Sequence, residues 1–213
     1  MIQIDDAGSG SLVGGTCIGV MRNETKEYYC DVIPLKFYDE ESFKEKLYLK
    51  YAAKIVIEGL NRITPYKDED IYICQGYMFD EAKKYLYGKG YNFTSLKIGE
   101  PLQSMIEKSF EDYVISLGLP ENFVKFTKYP FHFHKLLRWV YADYDKRVGL
   151  CKTGWKSWMR YGHLNVETYY DVLYNMGYYC LKCGRRIEKY SHVKVIKYTS
   201  NMPNTICIHK HCP

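Results

Sequence analysis

The sequence predicts an α+β protein: a mixed sheet with flanking helices, then a helical segment and a small zinc-binding module. Three observations predict it. Three strand-like segments follow one another through short turns at the start of the chain. Strand-like and helix-period segments then alternate as far as Pro120. The tail carries a Cys-x-x-Cys pair, Cys180 and Cys183, and a second group of Cys and His at its end.

The first strand is "MIQID", and the Gly/Ser run after it is a turn. "GTCIGVMR" and "EYYCDVIPLKFY" are the next two strands, joined by the turn "NETK". Short connections make the three an antiparallel meander. Residues 39–63 predict a helix: its acidic start suits the positive end of the helix dipole, and Phe43, Leu47, Tyr51 and Ile55 recur at helical spacing. Pro65 closes it. "DIYICQGY" has the apolar run of a short buried strand, and "MFDEAKKYLYGKG" is a helix stopped by glycine. "YNFTSLKIG" is a further strand. "PLQSMIEKSFEDYVISLGLP" is a helix with proline at its start and Gly-Leu-Pro at its end.

Beyond this point the chain reads as basic and largely helical. "FHFHKLLRWVYADYDKRVGL" has near-helical apolar spacing, "CKTGWKSWMRYG" reads as a loop, and "NVETYYDVLYNMG" as a helix with Asn165 as N-cap and Gly177 as stop. The expected organisation is a sheet domain over 1–118, a basic helical segment over 119–177 and a zinc module over 178–213.

The chain has 213 residues, of which 46% are hydrophobic, enough for a sizeable core and too many for wholesale disorder. No apolar run reaches the ~20 residues of a membrane span. No basic segment followed by an apolar one opens the chain, so it reads as a soluble, cytoplasmic protein without a membrane partner. The net charge of +5 hides an asymmetry, because residues 121–213 carry 16 Lys and Arg against 6 Asp and Glu. A basic second part that also holds many of the 23 tyrosines suits a polyanion such as nucleic acid, since rings stack on bases and cations meet phosphates.

Zinc takes four nitrogen or sulfur donors in a tetrahedron, and Cys180 and Cys183 supply two thiolates from one tight turn. Gly184, directly after, gives that turn its backbone freedom. His209 and Cys212 repeat the two-residue gap and are the expected second pair, with Cys207 or His211 able to replace either. The tail resembles zinc ribbons and treble-clef fingers. Four protein donors leave no open position, so the ion expected here is structural. A module of about 35 residues has little core of its own, and metal binding would supply its folding energy.

The element order, together with "IDDAGSGSLVGGTCIGVM" and "LKYAAKIVIEGL", resembles the ribonuclease H-like superfamily over rather more than half the chain. That resemblance implies carboxylates holding two Mg²⁺ or Mn²⁺ ions around a phosphodiester. Asp6 matches the first position, with Asp5 as its substitute. The first-helix position falls on Leu49, with Glu45 the nearest acid before it and Glu58 after it. At the end of the fourth strand Gln75 stands where an acid is expected, and Asp80 follows. The late helix offers Glu107, and Glu100 precedes it. The expected site is thus either rebuilt from Asp6, Glu45, Asp80 and Glu107 or lost. "DAGSGS" also looks like the first phosphate motif of the actin and sugar-kinase superfamily, but no second Gly-rich loop accompanies it. A polar turn between two strands is the third reading of the same stretch.

Nucleic-acid contacts are expected from Lys152, Trp155, Lys156 and Arg160, where cations and rings interleave, and from Arg185 and Arg186 beside the Cys-x-x-Cys turn. The same tryptophans could instead anchor a loop to the core. His132 and His134, and Asp143 and Asp145, are weaker candidates for metal or acid roles. The functional expectation is nucleic-acid binding or processing by a chain whose ribonuclease H-like site is altered or lost. The alternative is a zinc-stabilised structural or protein-interaction module without nucleic acid or catalysis.

Overall fold

A computed structural model of the chain describes residues 1–174 and 178–212. They form two compact units. The first holds residues 1–9 and 14–113; the second holds 10–13 and 114–213. The expected segments 119–177 and 178–213 therefore lie in one unit.

The first unit is built on a five-stranded mixed sheet in the order β3-β2-β1-β4-β5. Strands β1 (Ile2–Ala7), β2 (Thr16–Arg22) and β3 (Tyr28–Ile33) make the antiparallel meander. Strands β4 (Ile71–Cys74) and β5 (Phe93–Leu96) extend it in parallel from β1. Alternation along the strands sends Ile2, Ile4, Ile18, Val20, Ile71 and Ile73 to one face, where all are buried. Helices α2 (Leu47–Ile63) and α3 (Asp80–Gly88) cover that face. Helix α4 (Leu102–Ser116) covers the other, with Ile106 against Gly19 and Phe110 against Gly8. Gly8 has φ +83°, and a Cβ there would lie 2.1 Å from the Phe110 ring, so both conformation and space demand glycine.

The helix expected over 39–63 is two helices. Asp39 caps α1 (Glu40–Lys44), accepting a 2.8 Å bond from the Ser42 amide. The chain then turns at Lys46, whose φ is +57°, before α2 begins.

The second unit packs helices against a three-stranded antiparallel sheet in the order β10-β9-β6. Its helices are α5 (Glu121–Phe126), α6 (Phe133–Ala142), α7 (Tyr144–Arg147) and α8 (Lys156–Tyr161). Its strands are β6 (Glu167–Val172), β9 (His192–Thr199) and β10 (Pro203–His209), with β7 (Tyr178–Tyr179) and β8 (Arg186–Ile187) paired apart from them. Leu136, Leu137, Trp139 and Val140 of α6 are fully buried, and Val193, Ile206 and Ile208 from the sheet are buried as well.

Three expectations change here. The helix expected over 165–177 is instead strand β6 through residue 172, because "ETYYDV" is aromatic and β-branched and β9 offers it a free edge. Its expected stop, Gly177, lies outside the described residues. The 151–162 loop contains α8, and the helix expected over 131–150 breaks at Asp143, whose φ of −155° is not helical. His132 and His134, which alternate as strand residues would, are the N-cap and second residue of α6. Among the described residues no helix is long and apolar enough to cross a membrane.

Candidate metal centre

The donor atoms of Cys180, Cys183, His209 and Cys212 all lie within 4.8 Å of one another. The Cys180 and Cys212 sulfurs are 3.6 Å apart, and the Cys183 sulfur is 3.5 Å from His209 Nδ1. A tetrahedral zinc with ordinary Zn–S and Zn–N bonds has S···S edges of about 3.7 Å and S···N edges of about 3.5 Å. The four donors thus fit a tetrahedral metal. Cys207 and His211 are outside the group.

Local structure explains the convergence. Between β7 and β8 the chain folds into a knuckle: the Gly184 amide bonds the Cys180 carbonyl at 2.7 Å, and the Cys180 amide bonds the Arg185 carbonyl at 2.9 Å. Gly184 has φ +73°, and a Cβ on it would come 2.9 Å from Pro120. His209 ends β10, and the turn after it returns Cys212 to the knuckle. His209 Nε2 lies 3.2 Å from the Arg186 carbonyl. A proton donated there leaves the Nδ1 lone pair for a metal.

Electrostatics favour a cation at this point. Burial and the neighbouring Cys183 and Cys180 push the Cys212 thiol up to about 12. Burial acts upward on Cys183 too, but the Arg185 amide and the adjacent thiols outweigh it and lower that pKa. Three cysteines this close cannot all ionise without added positive charge, which a divalent metal would supply.

Sequence reasoning missed Arg147, which lies in a run that reads as a solvated helix face. It is 7% exposed. Its Nη1 donates to the carbonyls of Trp139 at 2.6 Å and Leu181 at 2.9 Å, and its Nη2 donates to that of Lys182 at 2.8 Å. Leu181 and Lys182 are the two residues between the knuckle cysteines, so Arg147 fastens the metal knuckle to the end of α6. Its charge also acts on Cys180 and Cys212, and would offset the net negative charge that three thiolates leave around a bound divalent ion. Nothing local announces this role, because its partners are backbone carbonyls far along the chain.

The expected carboxylate quartet is not brought together. Of Asp6, Glu45, Asp80 and Glu107, only Asp6 belongs to a cluster of metal-ligand type, with Asp5 and Cys74. The parallel register of β1 and β4 places Asp5 beside Cys74 at the end of β4. Glu45 is exposed as the C-cap of α1, because the turn at Lys46 separates it from α2. Leu49, at the family's first-helix position, is buried. Asp80 is exposed at the first turn of α3. Glu107 is exposed on α4, accepts a 3.1 Å bond from Gln103, and lies near enough to Asp5 for its charge to act on that carboxyl. Burial raises the Asp5 carboxyl, and Glu107 adds to that. Burial pushes the Cys74 thiol up to about 11, which keeps it protonated at neutral pH.

The expected nucleic-acid contacts divide. Lys156, Arg160, Arg185 and Arg186 are exposed, and Trp155 is half-buried. Lys152 is fully buried, with its ammonium 5.3 Å from the centre of the Trp155 ring, so it is a core residue and not a phosphate contact. Its amide bonds the Leu12 carbonyl at 2.9 Å. Trp158 is buried too, as an anchor of α8. The sequence matches no model of a known protein family, and no curated protein matches it.

Proposed function

We propose that this chain binds nucleic acid through its second unit, which a structural zinc ion holds together, and that its first unit keeps a ribonuclease H-like framework with an altered or lost nuclease site. The observation that carries the reading is the tetrahedral convergence of Cys180, Cys183, His209 and Cys212 beside two exposed arginines, Arg185 and Arg186. When bound, zinc cross-links the knuckle to the end of β10 and completes a module with little core of its own. The knuckle then carries Arg185 and Arg186 on a stiff turn. Lys156 and Arg160, one helical turn apart on α8, add a second exposed pair.

Support for the framework is the meander β3-β2-β1 continued by the parallel strands β4 and β5 with helices between them. Support for an altered site is the donor set itself. Two carboxylates and a protonated thiol suit Mg²⁺ or Mn²⁺ poorly, since hard cations want several charged oxygens.

Cations that neutralise phosphates release counterions, so the binding must weaken as salt rises. The test is fluorescence anisotropy of labelled oligonucleotides over a salt series. Lys156→Ala with Arg160→Ala, and Arg185→Ala with Arg186→Ala, should each weaken binding several-fold and flatten the slope of log K on log salt by about one per lost contact. Absence of binding at low salt would leave the zinc-stabilised interaction module, the reading that the burial of Lys152 and Trp158 favours.

A further inference from the structure

We infer that a groove in the second unit, lined by α5, α6 and β7, takes unpaired nucleobases, so that the nucleic acid bound is single-stranded. This deepens the nucleic-acid reading and rests on it. The groove encloses about 550 Å³, within the range of small-ligand sites. Phe123 and Phe126 reach it from one face of α5, and Tyr178 and Tyr179 reach it from β7. Three of these residues are exposed: Phe126 at 84%, Tyr179 at 58% and Tyr178 at 45%. Lys135 and Arg138, one turn apart on α6, supply positive charge, and among the described residues no carboxylate lines the groove.

Each part has a matching partner in a single strand. A flat apolar ring facing water is relieved by another flat ring, and every base has a face to offer. In a duplex those faces are already stacked on neighbouring bases, so the rings would find no partner. The strand's phosphates meet Lys135 and Arg138. Both cations are held in place: Lys135 donates to the Lys128 carbonyl, and Arg138 Nη2 donates to that of Thr205 at 3.0 Å. Charge complementarity therefore selects a polyanion over a neutral apolar peptide. The groove is also tied to the metal centre. Asn122 on α5 donates a 2.7 Å bond to the Gly184 carbonyl of the knuckle, and Cys180 is itself part of the lining.

The experiment uses the full chain with its zinc, and fluorescein-labelled dT15 beside a 15-base-pair duplex as probes. One base–ring stack is worth roughly tenfold in affinity. Phe126→Ala and Tyr179→Ala should each weaken dT15 binding about tenfold, Phe126→Trp should hold it within about twofold, and duplex binding should not change. Zinc content and melting temperature report on folding; if an alanine variant loses zinc, Phe126→Leu replaces it, keeping apolar bulk without a ring. If wild type binds dT15 and the ring variants bind it equally well, the groove assignment is overturned while nucleic-acid binding stands. If wild type binds neither probe, both readings fall. Equal loss for dT15 and duplex overturns the single-strand preference. A dimer that Phe126→Ala converts to monomer, with dT15 affinity unchanged, would make the groove a surface for a second copy and overturn the assignment.

Discussion

The Cys183 sulfur stands 3.5 Å from His209 Nδ1, a separation that suits two donors to one tetrahedral metal ion such as zinc. The two residues come from different hairpins, β7–β8 and β9–β10, and this contact is where the tail closes on itself. Close to one zinc per chain is expected by elemental analysis of reduced protein purified without added metal. Cys183→Ser and Cys212→Ser should each reduce that stoichiometry sharply and lower the melting temperature. Arg147→Met should weaken zinc retention without removing a donor, because the Leu181 and Lys182 carbonyls lose their tether. A reduced wild-type protein with near-zero zinc would remove the basis of the metal centre.

Arg22 and Glu69 predict how the first unit responds to acid. Their side chains are 3% and 6% exposed, and the guanidinium holds both carboxylate oxygens at 3.0 Å. Arg22 Nη2 also donates to the carbonyls of Ile63 and Thr64, the otherwise unpaired end of α2. Burial would raise the Glu69 carboxyl, but Arg22 and the Tyr66 amide outweigh it and hold it at about 2. A depressed carboxylate stabilises the fold fully above its unfolded pKa, near 4.5, and that contribution is lost as pH falls towards about 2. Glu69→Gln should cost roughly 2 kcal/mol at pH 7, because it removes one of the two carboxylates paired with a buried guanidinium and leaves Glu27 and two carbonyls as its partners. The gap between wild type and variant in urea midpoint should shrink steadily below pH 4.5. A gap that is the same at pH 7 and pH 3 would show that the pair does not set acid stability.

Asp5, Asp6 and Cys74 predict the outcome of a cleavage assay. No Mg²⁺- or Mn²⁺-dependent nicking of single-stranded, duplex or hybrid substrates is expected, and Asp6→Asn should change nothing in that assay. Cys74→Asp puts a third carboxylate within reach of the other two, and it should raise Mn²⁺ affinity at least tenfold in a titration followed by calorimetry. Manganese-dependent nicking by wild type that disappears in Asp6→Asn would mean that the site works with the donors it has.

What the sequence determined by itself is whatever depends on neighbours a few residues apart. The meander follows from apolar runs joined by short turns. The knuckle follows from Cys180, Cys183 and Gly184, since its bonds and its positive φ lie within one turn. The charge asymmetry is a property of composition. Tertiary structure decided what depends on distant partners. Cys207 and His209 sit on the same side of β10, and only the end of that strand and the turn beyond it make His209 and Cys212 the donors. "ETYYDV" became a strand because β9 was there to pair with it, which a helix-like N-cap at Asn165 could not foretell. Lys152 reads as a surface cation among tryptophans, yet it is fully buried, with its backbone amide bonded to the Leu12 carbonyl. Glu45 is exposed as the C-cap of α1 because the left-handed turn at Lys46 separates it from the helix that covers the sheet, while Asp80 and Glu107 are exposed on helices of their own. Burial and convergence are sums over the whole chain, and no local window of sequence contains them.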